Sequence, residues 1–176
     1  MKNTAIIIPA RLKAERFPNK PLAKINNVPM IIHTLNRCLE SEAGEVFVAT
    51  PDNEITEIVK KHGGHAILTG NHPNGTSRVF EAFEKIKNYN VDLIINVQAD
   101  LPNIKGSSIS KIKKLMRENN SPIGTLASLL TKDEINDENV VKVEVETDLK
   151  EDSFLKAKDF FRIKKNLKNT TIYHHV

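Results

Sequence analysis

Ile6, Ile7 and Ile8 run directly into Pro9, and no other stretch constrains the possible folds as tightly. Three consecutive isoleucines suit a strand buried on both faces, and the proline ends it by fixing φ and removing a backbone donor. Beyond Pro9 lies a loop with Arg11, Lys13, Arg16 and Lys20 against Glu15, its ends stiffened by Pro18 and Pro21. Ligands bind at the carboxyl edge of an open α/β sheet, and clustered Arg and Lys suit a polyphosphate because each adds charge-assisted donors to anionic oxygens. A solvated basic loop is the plain alternative.

At 176 residues the chain suits one domain with a sizeable core, and 39% hydrophobic with 27% charged excludes a disordered class. A net charge of +4 fits an anionic small molecule. With 5% aromatic residues and no RNA- or DNA-reading signature, nucleic acid is not expected as a partner. The single cysteine, Cys38, lies on an apolar helical stripe and reads as a small core residue. One cysteine excludes an intramolecular disulfide, and a cytoplasmic location is expected; the N-terminal apolar run has no signal-type cleavage region, and no segment approaches the roughly 18 apolar residues of a membrane span.

Apolar runs alternate with helical patterns through the first two thirds of the chain. Met30 to Leu39 places Ile31, Leu35 and Cys38 or Leu39 on one face; Val46–Ala49 reads as a strand, and Thr50 before Pro51 as a helix cap. That helix should stop at Gly63 and Gly64, before a short strand over Ala66–Leu68 and a loop over Gly70–Gly75. Thr76 is then expected to cap a helix with Val79, Phe83 and Ile86 on one face. Val91–Val97 is a further buried strand leading into Gln98, Ala99 and Asp100, and Ser107 opens a helix carrying Ile109 and Ile112.

From Ile123 the texture becomes β-rich. Ile123–Leu130 reads as a strand, Thr131 and Glu134 have capping-box spacing, and Val140–Val145 alternates so that Val141, Val143 and Val145 face inward while Lys142, Glu144 and Glu146 stay wet. The fold class is α/β, a three-layer α/β/α arrangement with a mostly parallel sheet. Residues 1–122 are expected to form the α/β core that carries the basic loop, and residues 123–176 a β-rich extension of the same domain.

No GxxxxGK[ST] and no GxGxxG after the first strand occurs, so phosphate binding falls to Arg and Lys side chains and loop amides. Asp100 ends an apolar strand and faces the same crevice as the first loop. One carboxylate there suits Mg²⁺, which is usually held by one or two carboxylates plus substrate phosphates; a turn or cap role is the competing explanation. Gln98 offers both a donor and an acceptor to a base or sugar edge. The six histidines lack zinc-ligand spacing.

Ile8, Pro9, Ala10 and Arg11 with Arg16, Pro18, Lys20, Pro21 and Leu22, then Asn74 to Arg78, then Asn96 to Pro102, succeed one another in an order that resembles the cytidylyltransferases activating 3-deoxy-manno-octulosonate. Those enzymes read IPAR…S.R.PGKPL, SGT(D/E)R and NVQGDEP; the resemblance continues in Val140–Val143 and in Tyr173–Val176. It implies that Arg11, Arg16 and Lys20 grip the triphosphate of CTP, that the backbone at Pro9 and Ala10 meets the cytosine, and that Asn74, Gly75, Thr76, Arg78 and Gln98 fix the nucleoside. It also implies Mg²⁺ on Asp100, an acidic sugar as second substrate, a lipopolysaccharide-precursor role and a homodimer.

The sequence departs from that pattern where Asn19, Asn27 and Ala99 replace glycines, Ser77 replaces an acidic residue and Leu101 a glutamate. The resemblance further implies that a carboxyl-terminal stretch with a second metal carboxylate lies beyond Val176. Two other readings stand beside the leading one. One is a cytidylyltransferase for a sialic-type acid, separated by substrate choice; the other is a nonenzymatic interaction module, favoured by Leu101 and Ala99 and separated by CTP binding.

Overall fold

The computed structural model of the chain describes residues 3–13, 17–86, 90–151, 153–164 and 170–176. They fall into two compact units, residues 1–113 and 114–176, with the division inside a helix.

The first unit is built on β1 (Asn3–Pro9), a small hairpin of β2 (Lys24–Ile25) and β3 (Val28–Pro29), α1 (Met30–Glu40), β4 (Glu45–Thr50), α2 (Asn53–Lys61), β5 (His65–Leu68), α3 (Gly75–Ile86), β6 (Val91–Asn96) and α4 (Gly106–Asn119). Its four main strands are all parallel, in the order β5, β4, β1, β6. The three isoleucines of β1 are fully buried, as a strand covered on both faces requires. Alternation along β1 divides them: Ile6 and Ile8 pack with Ile31, Leu35 and Cys38 of α1, Ile55 and Val59 of α2 and Ile109 of α4. Ala5 and Ile7 pack on the other face against Val79, Ala82 and Ile86 of α3. Each such aliphatic side chain contributes on the order of 1.5–3 kcal/mol, so the two faces together fix β1 at the centre of three layers.

This topology positions the site. The chain proceeds from β1 to β4 and β5 on one side, then returns to place β6 on the other side of β1. The carboxyl ends of β1 and β6 therefore flank the point where strand order reverses, the place where α/β sheets open a crevice.

Several local expectations are corrected. Asp52 takes the N-cap position of α2 ahead of Asn53, so Pro51 precedes the cap and does not open the helix. Gly63 has φ of 77°, a left-handed value that terminates this helix and favours glycine. Thr76 lies inside α3, and Asn74 does the capping: its Oδ1 accepts from the Ser77 backbone N–H at 2.9 Å. Asn19 and Asn27 adopt φ of 58° and 64°, the left-handed conformations that asparagine tolerates in place of glycine. Cys38 is a buried core residue, and burial pushes its thiol up to about 12.

The second unit carries an antiparallel sheet of β7 (Ala127–Ser128), β8 (Lys142–Val145), β9 (Ala157–Phe161) and β10 (Thr171–His175), ordered β7, β10, β8, β9. Val143, Val145 and Tyr173 form its small core. Only Ala127 and Ser128 of the expected strand over Ile123–Leu130 are paired; Ile123 and Leu129 are exposed. Glu134 does reach back to the Thr131 N–H at 2.8 Å, but the turn it closes is a 3-10 helix, Glu134–Asn136. Lys142 contradicts the alternation: it is fully buried, its Nζ donating to the carbonyls of Asp137 and Arg162 at 2.6 and 2.7 Å.

Candidate functional site

Backbone hydrogen bonds prolong β1 and then turn the chain away from the sheet. The Ala10 N–H still donates to the Ala49 carbonyl at 2.9 Å, while the Leu12 N–H leaves the ladder and donates to Asp52 Oδ2 at 2.8 Å. A bond of 2.9 Å from the Asn19 N–H to the Leu12 carbonyl closes the loop. The short 3-10 turn Lys20–Leu22 then brings Lys20 back to the strand end. Arg16 lies outside the described residues.

At the neighbouring strand end, Val97 N–H donates to the Ile7 carbonyl, carrying the β1–β6 pairing one residue past β6. The next turn is held by Thr34 of α1, whose hydroxyl donates to the Ala99 carbonyl at 3.1 Å. Gln98 and Asp100 are thereby presented toward Lys20. Lys20 Nζ donates to Asp100 Oδ2 at 2.6 Å, an ion pair with both side chains partly in solvent.

Pro9, Ala10, Arg11, Lys20, Pro21, Met30, Gln98, Ala99 and Asp100 surround a pocket of about 140 Å³. Six of the sequence-derived site residues, Pro9, Ala10, Arg11, Lys20, Gln98 and Asp100, are thus brought to one place. Sequence reasoning missed Pro21, Met30 and Ala99 as lining residues, because apolar side chains carry no chemical signature.

The segment from Asn74 to Arg78 approaches from α3. A Cβ on Gly75 would sit 3.2 Å from Pro9 Cγ and 3.9 Å from Gln98 Oε1, so a glycine lets the start of α3 come close to the pocket wall. Asn74 caps α3, and Thr76 is exposed in its first turn, where backbone N–H groups without intrahelical partners favour anions. Arg78 does not line the pocket. It is buried, with Nε donating to Thr69 Oγ1 at 3.2 Å. Burial, followed by the nearby Arg11 charge, lowers its pKa, while Asp52 and Glu81 act in the opposite direction.

Chemically, the pocket combines two cationic side chains, one amide, one carboxylate and backbone groups at strand ends. Such a set suits a phosphorylated ligand with a polar base or sugar. Among the described residues no cluster of three or more His, Cys, Asp or Glu forms a metal cage. Asp100 alone fits the Mg²⁺ mode in which substrate phosphates and water complete the coordination. Among the described residues no helix is long and apolar enough to cross a membrane.

A family model for cytidylyltransferases matches residues 5–176. The 3-deoxy-manno-octulosonate cytidylyltransferase of Wigglesworthia glossinidia brevipalpis is 43% identical over 143 residues, an alignment covering 80% of this chain and 59% of that protein. The enzyme of the same name from Rhodopseudomonas palustris (strain BisB5) is 38% identical over 176 residues, covering 98% of this chain and 71% of the relative. The chain thus spans only part of the length of each relative. Among solved structures, a CMP:2-keto-3-deoxy-manno-octonic acid synthetase complexed with CTP matches with a TM-score of 0.86 at 32% identity, over 99% of this chain and 72% of that one. A 4-diphosphocytidyl-2C-methyl-D-erythritol synthase, 13% identical with a TM-score of 0.58, shares the fold over 92% of this chain and 75% of its own.

Proposed function

Because the chain belongs to the cytidylyltransferase family, we propose that it serves the transfer of a cytidylyl group from CTP to 3-deoxy-manno-octulosonate, with release of pyrophosphate. The observation that carries this is the convergence of Arg11, Lys20, Gln98 and Asp100 on one pocket at the strand-order reversal. The relatives' names supply the sugar acid, and the CTP in the matching synthetase structure supplies the nucleotide.

In this reading the anomeric hydroxyl of the sugar acid attacks the α-phosphorus in line with the departing pyrophosphate, and no covalent intermediate forms on the chain. Arg11 and Lys20 bind the triphosphate oxygens and offset the charge that grows on the leaving group. The backbone at Pro9 and Ala10 meets the cytosine, and Gln98 with the Asn74–Thr76 segment fixes the nucleoside. Asp100 would hold Mg²⁺, which when bound neutralises phosphate oxygens and orients them. Lys20 exchanges Asp100 for phosphate as the ligand enters. Arg78 serves by holding Thr69, and its charge adds to the positive field behind Arg11.

Activation of this sugar acid would place the protein in lipopolysaccharide-precursor synthesis in the cytoplasm, as a homodimer. Calorimetry with Mg²⁺ tests the nucleotide half: CTP is expected to bind more tightly than ATP. A folded sample that gives no CTP heat at millimolar nucleotide overturns the reading. Pyrophosphate released only when CTP and the sugar acid are both present tests the second half; release independent of the sugar acid counts against it.

A further inference from the structure

We propose that Glu81 is a positioning residue for the nucleotide site, acting through the connection between β5 and α3; this rests on the nucleotide reading. Three side chains of α3, at positions 78, 81 and 85, grip the end of β5 and that connection residue by residue. Lys85 Nζ donates to the Leu68 carbonyl at 2.6 Å, Arg78 Nε to Thr69 Oγ1 at 3.2 Å, and Glu81 accepts from the Gly70 N–H at 2.9 and 3.2 Å and from His72 Nε2 at 2.5 Å. Lys85 also pairs with Glu81 at 2.7 Å. Glu81 is the hub of this arrangement, binding two residues of the connection and a second α3 side chain.

The geometry gives this hub a consequence at the pocket. The connection it holds ends in Asn74, which caps α3, and Gly75, which abuts Pro9 and Gln98. Residues 70–72 are fixed to the body of α3, so the short remainder has little freedom in how it enters the helix. The residues that would meet the nucleoside therefore inherit their position from Glu81, which is not among the residues lining the pocket. Lys85 and His72 keep Glu81 ionised and aimed at the Gly70 N–H, since a carboxylate so partnered gains most as an anion.

A displaced Gly75 and Gln98 wall should affect recognition of the base and sugar more than the grip on phosphates, which comes from the opposite loop. Glu81→Gln keeps the shape but removes the ion pair with Lys85 and the anionic acceptor of the His72 and Gly70 hydrogen bonds. In calorimetry with Mg²⁺, this variant is expected to lose about tenfold in CTP affinity, comparable to one charge-assisted hydrogen bond, while ATP affinity changes little, so that the preference for CTP narrows. Lys20→Met, by contrast, should weaken both nucleotides together. His72→Ala removes one of the two contacts that Glu81 makes with the connection and is expected to move the preference in the same direction by a smaller factor. It also serves as the test if Glu81→Gln does not fold. Glu81→Asp, able to keep the charge, should recover part of the preference.

Failure of the wild-type chain to bind CTP defeats the nucleotide reading and this proposal with it. Wild-type binding with an unchanged CTP preference in both Glu81→Gln and His72→Ala overturns the positioning role alone. A parallel loss for CTP and ATP that tracks a fall in melting temperature overturns it as well, leaving Glu81 a stabilising residue only.

Discussion

Lys20 Nζ lies 2.6 Å from Asp100 Oδ2, joining the loop after β1 to the turn after β6 across 80 residues of sequence. Lys20 is 39% and Asp100 48% exposed at the side chain, so solvent screens the pair, and such surface pairs contribute about 0–1 kcal/mol to stability. Two groups that a phosphate and a cation would each claim are thus held ready by an interaction that is cheap to break.

Asp100→Asn should consequently leave the melting temperature within a few degrees of wild type. The same variant should lose most of the Mg²⁺-dependent part of its CTP affinity, because the neutral amide is a poor magnesium ligand. Thermal melting alongside calorimetry with and without Mg²⁺ checks this. A large drop in melting temperature with unchanged nucleotide affinity would make Asp100 a turn residue.

Lys20→Met removes a cation from the phosphate loop while preserving most of the side chain's apolar stem. Loss of a hydrogen bond to a charged group costs about 1.5–3 kcal/mol, so CTP affinity should fall roughly ten- to a hundredfold. Cytidine binding should change far less, since that ligand carries no phosphate. Competition titrations with CTP and cytidine separate the two effects.

Legibility of the fold in the sequence tracks the strength of the local signal. Ile6, Ile7 and Ile8 ahead of Pro9 leave one solution, a strand buried on both faces, and the structure realises it. Ile123–Leu130 offered an apolar run of similar appearance, yet a run does not reveal partners, and only two of its residues pair with β10. Lys142 alternates with valines as a wet residue should, but its ammonium finds carbonyls at both ends of a neighbouring turn and strand, contacts created only by the fold. Arg78 carries the same lesson at the site: motif and charge marked it for ligand, while burial beside Thr69 gives it a structural neighbour. Arg11, Lys20, Gln98 and Asp100 were legible because chemistry restricts such side chains, and Pro9 and Ala10 through the motif they belong to, whereas Pro21, Met30 and Ala99 beside them offered no signal of their own.

Acid stability should report on Glu81. Hydrogen bonds from Lys85, then His72 and the Gly70 N–H hold its carboxyl at about 2, below the ordinary 4.5. A carboxyl depressed in the folded state contributes stability that is fully present above about 4.5 and is lost as pH falls through about 2. Glu134 and Asp137 are lowered as well, so wild-type stability falls on acidification through several groups. Between about pH 5 and pH 2, Glu81→Gln should show a shallower decline than wild type, measured as melting temperature against pH. Identical slopes would show that the Glu81 contacts do not persist in solution.

Lys142 gives the sharpest test of the second unit. Its side chain is fully buried, and its Nζ satisfies the carbonyls of Asp137 and Arg162 at once. Arg162 Nη1 donates in turn to the carbonyls of Glu138 and Asn139, both at 2.9 Å, so the two cations together hold the 137–139 turn against the end of β9. Lys142→Met preserves the length and apolar stem of the side chain but removes the ammonium from both carbonyls; that of Asp137 keeps the Val140 N–H at 3.3 Å. An unsatisfied buried acceptor costs about 1–3 kcal/mol, and a carbonyl that keeps another donor or meets water loses less, so a loss of about 1–3 kcal/mol is expected. Lys142→Arg is larger and forked, and should restore little, because a guanidinium must be accommodated where an ammonium fits between two carbonyls. Denaturant unfolding measures the loss, and amide exchange locates it: protection should fall at β8 and β10 while the amides of β1 and β4 keep theirs. Uniform loss of protection through both sheets would mean that the units unfold as one, and an unchanged midpoint for Lys142→Met would show that the buried ammonium contributes nothing that a thioether cannot replace.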